Sequence, residues 1–306
     1  MNYINNLLQF ITIEDSKIDY LQITNADDKF WVLPKKNISV ALNLYQPSSI
    51  KGKLLKKGLP YFKNFKIVQK RLGITEINYS LEKNLNKILT SIFKKNNIEF
   101  AIFGGTPSKH QKITIQIFKE NRILGYCKVT QNKEVAALFC DEEKVLTELY
   151  EMGIRKIPIC LYNGKLNNDL AVFVQSTLKT NQSKIIHDWQ EVHWDFLRCL
   201  HNKTKKTLLL HETDFYNTIE LLKKNKNTLV NADRKIINKA IVKVSQFYEN
   251  NRFSFSAYHA DFTPWNMFVE KKQLFVFDFE YAKMSYPPFL DWFHFFTQTC
   301  IFEKGL

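Results

Sequence analysis

Arginine is scarce in this chain. Of its 44 basic residues only six are Arg (positions 71, 122, 155, 198, 234 and 252), and the other 38 are Lys. The formal net charge is +14 at pH 7, which on its face points to nucleic acid or another anionic partner. The side chain best suited to bidentate phosphate and base contacts is the missing one. Lys also comes with much Asn and Ile throughout, so the charge reads as a chain-wide bias and not as a localised patch. No nucleic-acid partner is expected, while an anionic substrate or a peripheral membrane contact stays open. Paired cysteines are lacking too. The five, Cys127, Cys140, Cys160, Cys199 and Cys300, are odd in number and far apart, and no C-x-x-C occurs. They read as buried free thiols in a reducing compartment. No apolar run is long enough to span a bilayer. The opening "MNYINNLLQFITIEDS" has no basic n-region, so it is not a signal peptide, and a cytoplasmic location is expected. Internal repeats and long Gly/Pro/Ser linkers are absent.

What is present is an ordinary globular composition over 306 residues, 45% apolar and 24% charged, with 25 Phe for a well-filled core. Three regions differ in texture. Residues 1–97 mix strand-like pieces ("DKFWVLP", "ISVALNLY") with helical ones. The clearest helix is "SLEKNLNKILTSIFKK", where Ser80 is a candidate cap and Leu81, Leu85, Ile88, Leu89, Ile92 and Phe93 share a face. Residues 98–178 hold three β-rich runs, "IEFAIFGG", "KITIQIFK" and "ILGYCKVT", which read as an antiparallel meander. A helix follows in "DEEKVLTELYEMG", with Asp141 as N-cap and Gly153 as stop. Two more strands are expected across an Asn/Gly-rich turn. Residues 179–306 are mainly helical, with a tight loop and short strands near residue 260. The fold class is therefore α+β: a small antiparallel β-lobe and a helical lobe, preceded by an α/β extension of unknown role.

The chemistry concentrates in "YHADFTPWNMFVEKKQLFVFDFEYA". Asp261 and Asn266 lie five apart across "FTPW", where Pro264 favours a rigid loop. Asp278 follows twelve residues after Asn266, at the end of the apolar run "QLFVF". A carboxylate there is costly unless it is paired or binds a metal. Phosphoryl transfer asks for an Asp to orient the attacking hydroxyl and accept its proton, and for an Asn and a second Asp to hold Mg²⁺. Mg²⁺ prefers hard oxygen ligands and few protein ones. Any one of the three residues alone is better read as a turn or strand end. Together, at this spacing, they point to a site.

The β-rich region offers the other half. Gly104 and Gly105, between the first two strands, are candidates to bring backbone N–H groups to phosphate. Lys128, on the third strand, is a candidate phosphate cation. Glu142 in the next helix is its candidate partner, with Glu143 and Glu148 as rivals. Each has a plain structural reading: a hairpin turn, an edge lysine, an exposed helix acid.

From about residue 98 to 295 the chain resembles the protein-kinase-like fold, and within it the aminoglycoside phosphotransferase and choline kinase group. "HADFTPWN" resembles that group's H-G-D-x-x-x-x-N catalytic loop, with Ala260 in place of Gly, a mild change. "VFDFEYA" is similar to its metal motif, and "PPFLDWFHF" to the segment whose buried Asp, here Asp291, braces the loop. "EEKVLTELYEMGIRKIP" resembles the Glu helix, and "DFLRCLHNK" an L-x-x-L-H helix. The resemblance implies ATP and Mg²⁺ as cofactors and makes Asp261 catalytic, Asn266 and Asp278 metal ligands, and His259 structural. It places the adenine-facing hinge near Phe173 to Ser176, with Gln175 among the nucleotide-binding residues. The nucleotide loop is not a full G-x-G-x-x-G. Family members usually continue past the equivalent of Asp291 with helices that complete the acceptor pocket. Either this chain is a fragment or its acceptor site is small and open.

The form "DFTPWN" resembles kinase-like proteins linked to bacterial surface polysaccharides, which implies a sugar or glycan hydroxyl as acceptor. Choline or another amino alcohol, held by Trp292, Phe293, Phe295 and Phe296 near Asp291, is an alternative, and an aminoglycoside is another. A pseudokinase-type binding module and a basic nucleic-acid-binding protein are the rivals from other classes.

Overall fold

The structure is a computed structural model that describes residues 3–47, 49–166, 169–225, 228 and 230–303. Contacts divide it into two units, Met1–Glu143 with Pro158–Ser183, and Lys144–Ile157 with Lys184–Leu306.

The first unit is built on one sheet. Its elements are α1 (Tyr3–Ile11), β1 (Thr12–Thr24), β2 (Phe30–Pro34), α2 (Ile38–Ala41), α3 (Ile50–Phe62), α4 (Lys66–Arg71), β3 (Thr75–Leu81) and α5 (Lys83–Phe93). The meander follows as β4 (Glu99–Phe103), β5 (Ile113–Lys119) and β6 (Arg122–Thr130), then α6 (Lys133–Glu151), whose residues from Lys144 on belong to the second unit, and β7 (Cys160–Lys165) and β8 (Ala171–Ser176). The strand order is β3-β1-β2-β4-β5-β6-β8-β7, and every pairing is antiparallel. The segment before residue 97 thus enlarges the same sheet, because β2 pairs with β4 across that position.

Strict alternation gives this sheet two apolar faces. One carries Phe100, Ile102, Ile115, Ile117, Cys127, Val129, Val172 and Val174 and is covered by Leu7, Leu8, Leu85 and Leu89 of α1 and α5. The other carries Leu21, Trp31, Leu33 and Ala101 and is covered by Val40 and Leu59 of α2 and α3.

The sequence-based boundaries need four corrections. "ISVALNLY" is not a strand: Ile38–Ala41 forms a helical turn whose apolar residues cap the sheet face, so burial overrides β-propensity. Ser80 lies in β3, and the cap of α5 is Glu82, whose carboxylate accepts from the N–H groups of Asn84 and Leu85. Asp141 lies inside α6, which starts eight residues earlier. There the Asn132 side chain accepts from the Glu134 N–H at 2.8 Å. The cysteines are free, but only Cys127 is buried, while Cys140 and Cys199 are exposed. Gly153 does end α6, in the left-handed conformation that glycine adopts without strain. In the turn between β7 and β8, Asn167 and Asn168 lie outside the described residues.

The second unit is mainly helical. It holds α7 (Glu191–Thr204), β9 (Lys206–Leu208), α8 (Asp214–Asn225), α9 (Asn231–Tyr248) and β10 (Phe253–Tyr258). It continues with β11 (Met267–Glu270), β12 (Gln273–Val276), β13 (Lys283–Tyr286) and α10 (Leu290–Glu303). Two small sheets, β13-β10-β9 and β11-β12, lie among these helices. Its aromatic core gathers Phe262, which contacts Trp189, His193, Phe196 and Phe295. A β-rich unit and a mainly helical one, the α+β division that the sequence predicts, thus make up the chain.

Candidate active site

In the second unit, the chain leaves β10 at Tyr258 and enters the loop that carries His259, Asp261 and Asn266. A 3₁₀ turn at Pro264–Asn266 opens with Pro at a position where its missing N–H costs nothing. The β11-β12 hairpin then returns the chain, with Met267 opposite Val276. This register sets Asn266 beside Phe277, whose N–H donates to the Asn266 carbonyl at 3.0 Å. Twelve residues of sequence separation thus shrink to a hairpin's width, and Asp278 follows directly.

His259 stitches the loop to the same strand end. It is fully buried. Its Nε2 donates to the Phe277 carbonyl at 3.1 Å, and its Nδ1 accepts from the Asp261 N–H at 3.2 Å. Only the neutral Nε2–H tautomer satisfies both bonds. Burial pushes the imidazole down to about 4, against the opposing pull of the Asp261 carboxylate. Asp291, on the first turn of α10, braces the loop from the other side. Its Oδ2 accepts from the His259 N–H at 2.9 Å and its Oδ1 from the Ala260 N–H at 3.1 Å. Burial pushes this carboxyl up to about 7, with the two backbone donors working in the other direction.

Both carboxylate oxygens of Asp261 are held. The Asn266 Nδ2 donates to Oδ2 at 2.7 Å and to the Asp261 carbonyl at 3.1 Å. The His294 Nε2 lies 3.2 Å from Oδ1. Asp261 keeps about a third of its side-chain surface exposed, so a solvent-borne hydroxyl has access to it. Because Asn266 spends its NH₂ on Asp261, its carbonyl oxygen is the atom left for a hard cation.

His294 is the residue that the sequence reading missed. It lies three residues after Asp291 on α10, one helical turn away, and that spacing was the available signal. The aromatic neighbours named with it separate: Phe295 is core, while Phe293 and Phe296 are exposed. Trp292 stacks on Trp194.

Two loop residues adopt left-handed backbone, Ala260 at φ 70° and Asp278 at φ 70°. Replacing Gly by Ala at position 260 is therefore not mild. The backbone there takes a conformation that glycine adopts freely and alanine at a cost. Strained residues of this kind gather at functional sites.

In the first unit, the strand alternation that builds one core face turns Lys128 to the other. Lys128 pairs with Phe173, and its Nζ lies 5.5 Å from that ring's centroid. Tyr126 pairs with Gln175, two residues along each strand, so Lys128, Tyr126 and Gln175 share one face. The Lys128 Nζ meets both oxygens of Glu142, at 3.0 and 2.7 Å. This resolves the choice among three acids. Val135, Phe139, Glu142, Leu146 and Leu149 recur at helical spacing on α6 and all are buried. Glu142 is thus the acid on the inward stripe. Glu143 instead accepts from Asn163, and Glu148 pairs with Lys206.

Gln175 is buried, and its Oε1 has no hydrogen-bond partner among the described residues. An orphaned buried acceptor beside a lysine fits a site that a polar ligand completes. Gly104 has a structural reason to be glycine: a Cβ there would lie 2.2 Å from the Phe30 ring, and its N–H donates to the Phe30 carbonyl. That N–H is not a phosphate donor. Gly105, at φ 76°, starts the exposed turn that leads to β5.

No protein-family model matches the chain, and no curated protein does. Solved structures do resemble it. They include the ADP-bound aminoglycoside phosphotransferase APH(2'')-Ib, at 14% identity and TM-score 0.41, over 67% of this chain and 72% of that one. The gentamicin complex of APH(2'')-IIa matches at 16% identity and TM-score 0.43, over 67% and 72%. A protein of Haemophilus somnus 129PT described as a fructosamine-3-kinase matches at 12% identity and TM-score 0.45, over 72% and 83%. At such identities each residue's role rests on the geometry of this chain.

Proposed function

We propose that this protein is an ATP- and Mg²⁺-dependent phosphotransferase whose acceptor is a hydroxyl of a small molecule, a sugar or surface-glycan component first. The observation that carries the reading is the Asp261 carboxylate. It is held on one oxygen by Asn266 and on the other by His294, within a loop braced by Asp291. A fixed, partly exposed carboxylate suits the orientation of a hydroxyl and the acceptance of its proton. Asn266 and Asp278 would hold the metal, and their oxygen donors fit a hard divalent cation. Lys128, fixed by Glu142, and Gln175 with its spare acceptor are assigned to the nucleotide, with Gly105 in the adjoining turn. Bound Mg²⁺ would neutralise phosphate charge. The chain's own part is positioning: a neutral His259 and a buried Asp291 fix the loop before any ligand arrives.

The half-buried Trp194–Trp292 stack supports a second acceptor class, an amino alcohol, through cation–π contact. A screen of ATP consumption over sugars, amino alcohols and aminoglycosides separates these choices. Asp261→Asn should abolish turnover and leave the rise in melting temperature with Mg²⁺–ATP intact. Turnover equal to that of the unaltered protein, or no thermal response to Mg²⁺–ATP, would overturn the assignment.

A further inference from the structure

The charge of this protein is not evenly spread after all. Between Asp28 and Glu76 the sequence has eleven Lys or Arg and no acidic residue. Eight of the eleven lie from residue 51 to residue 71, on α3, α4 and the turn joining them. The same stretch carries unusual apolar exposure: Ile50 78%, Leu54 65%, Tyr61 83%, Phe65 62% and Ile67 76%.

On α3 these residues are ordered. Leu55, Leu59 and Phe62 face inward and pack on the sheet. Ile50, Leu54 and Tyr61 recur at helical spacing on nearly the opposite side. The helix therefore has two apolar faces, and only one is covered within its unit. Lys51, Lys53 and Lys57, all exposed, flank the uncovered one. The Ser49 cap, which accepts from the Gly52 N–H at 3.1 Å, and the inward leucines fix the helix in place.

Glu76 lies near Lys66 at the start of α4, but the stripe on α3 has no acid on its own helix, and an apolar stripe bordered by lysines is what the surface of an anionic bilayer binds. The apolar side chains enter the acyl boundary while the ammonium groups stay at the headgroups. We propose that the α3–α4 face docks this protein on an anionic lipid bilayer. Among the described residues no helix is long and apolar enough to cross a membrane, so the contact is peripheral. Nucleic acid is the weaker fit. The segment holds one Arg, and bare aliphatic side chains such as Ile50, Leu54 and Ile67 have no use against phosphates. The inference is independent of the phosphotransferase reading.

Cosedimentation of the full chain with vesicles of phosphatidylcholine, with and without phosphatidylglycerol, tests it. Binding is expected to the anionic vesicles only and should weaken as salt rises. Leu54→Glu with Tyr61→Glu should lower it at least about tenfold. Lys53→Ser and Lys57→Ser should each lower it about fivefold. All four side chains are exposed, so melting temperatures should stay near that of the unaltered protein, which separates lost docking from lost folding. Equal binding to neutral vesicles, or anionic binding that survives the Leu54–Tyr61 double substitution, would overturn the proposal. So would a concentration-dependent dimer, or RNA binding, that takes its place and is lost with the same substitutions.

Discussion

Replacing Glu142 with Gln removes one charge of a buried pair and keeps its shape. Lys128 is 4% exposed and Glu142 0%, and the shorter contact is 2.7 Å. At an effective dielectric constant near 20 the gross attraction at that separation is about 6 kcal/mol, most of it offset by the cost of taking both ions out of water. Breaking such a pair on one side takes from the buried ammonium the carboxylate that meets it at 2.7 Å and costs roughly 3–5 kcal/mol. The Gln amide keeps one hydrogen bond, so the lower end applies. For a chain of 306 residues about 3 kcal/mol lowers the melting temperature by roughly 5 °C. Thermal unfolding without nucleotide measures it. The double substitution Lys128→Met with Glu142→Leu removes both charges of the pair together and should be milder than Glu142→Gln alone. A Glu142→Gln variant within about 1 kcal/mol of the unaltered protein would refute the reasoning. So would a double variant that loses the sum of two large single effects. On the proposed assignment of Lys128 to the nucleotide phosphates, the same double variant should lose the thermal response to Mg²⁺–ATP.

His294→Ala should lower kcat about ten- to a hundredfold with little change in KM for ATP, and His294→Asn should restore part of it. Steady-state kinetics of the three proteins decide it. The His259 imidazole, pushed down to about 4 from 6.5, makes the unfolded chain the better proton acceptor between those values. Stability from this group is complete above pH 6.5 and is lost as pH falls toward 4. From pH 7 to 5 the unaltered protein should lose about 2 kcal/mol more than His259→Gln, read from urea midpoints. Asp291, pushed up to about 7, gives the opposite slope, with stability lost as pH rises from about 4 to 7. It is present in both proteins and cancels from the difference. Ala260→Gly should raise stability by about 1 kcal/mol, because the left-handed backbone at φ 70° no longer strains a Cβ. Melting curves show it.

Some of this was legible in the chain because it is local. His259, Asp261, Asn266 and Asp278 lie within twenty residues, and a loop followed by a hairpin needs no distant partner to bring them together. The three strands of the meander were legible for the same reason: alternation and short turns are written in adjacent residues. Boundaries that depended on burial were not. Position 80 satisfied the capping preference of Ser, but the strand pairing of β3 with β1 claimed it, and Glu82 took the cap. "ISVALNLY" has strand composition, yet packing on the sheet face makes part of it a helix.

By itself the sequence determined the constellation and its spacing, the two-lobed order of elements, and a core rich in Phe. Only the tertiary structure decided which of three glutamates meets Lys128. Helical phase puts Glu142 on the buried stripe and turns its neighbours elsewhere. Only the structure brought His294 to Asp261, because a hydrogen bond between residues 33 positions apart depends on how α10 packs. And only the structure separated the leucines of α3 that hold the fold from the Leu54 and Tyr61 that face outward. In the sequence they are equally apolar, and burial alone tells them apart.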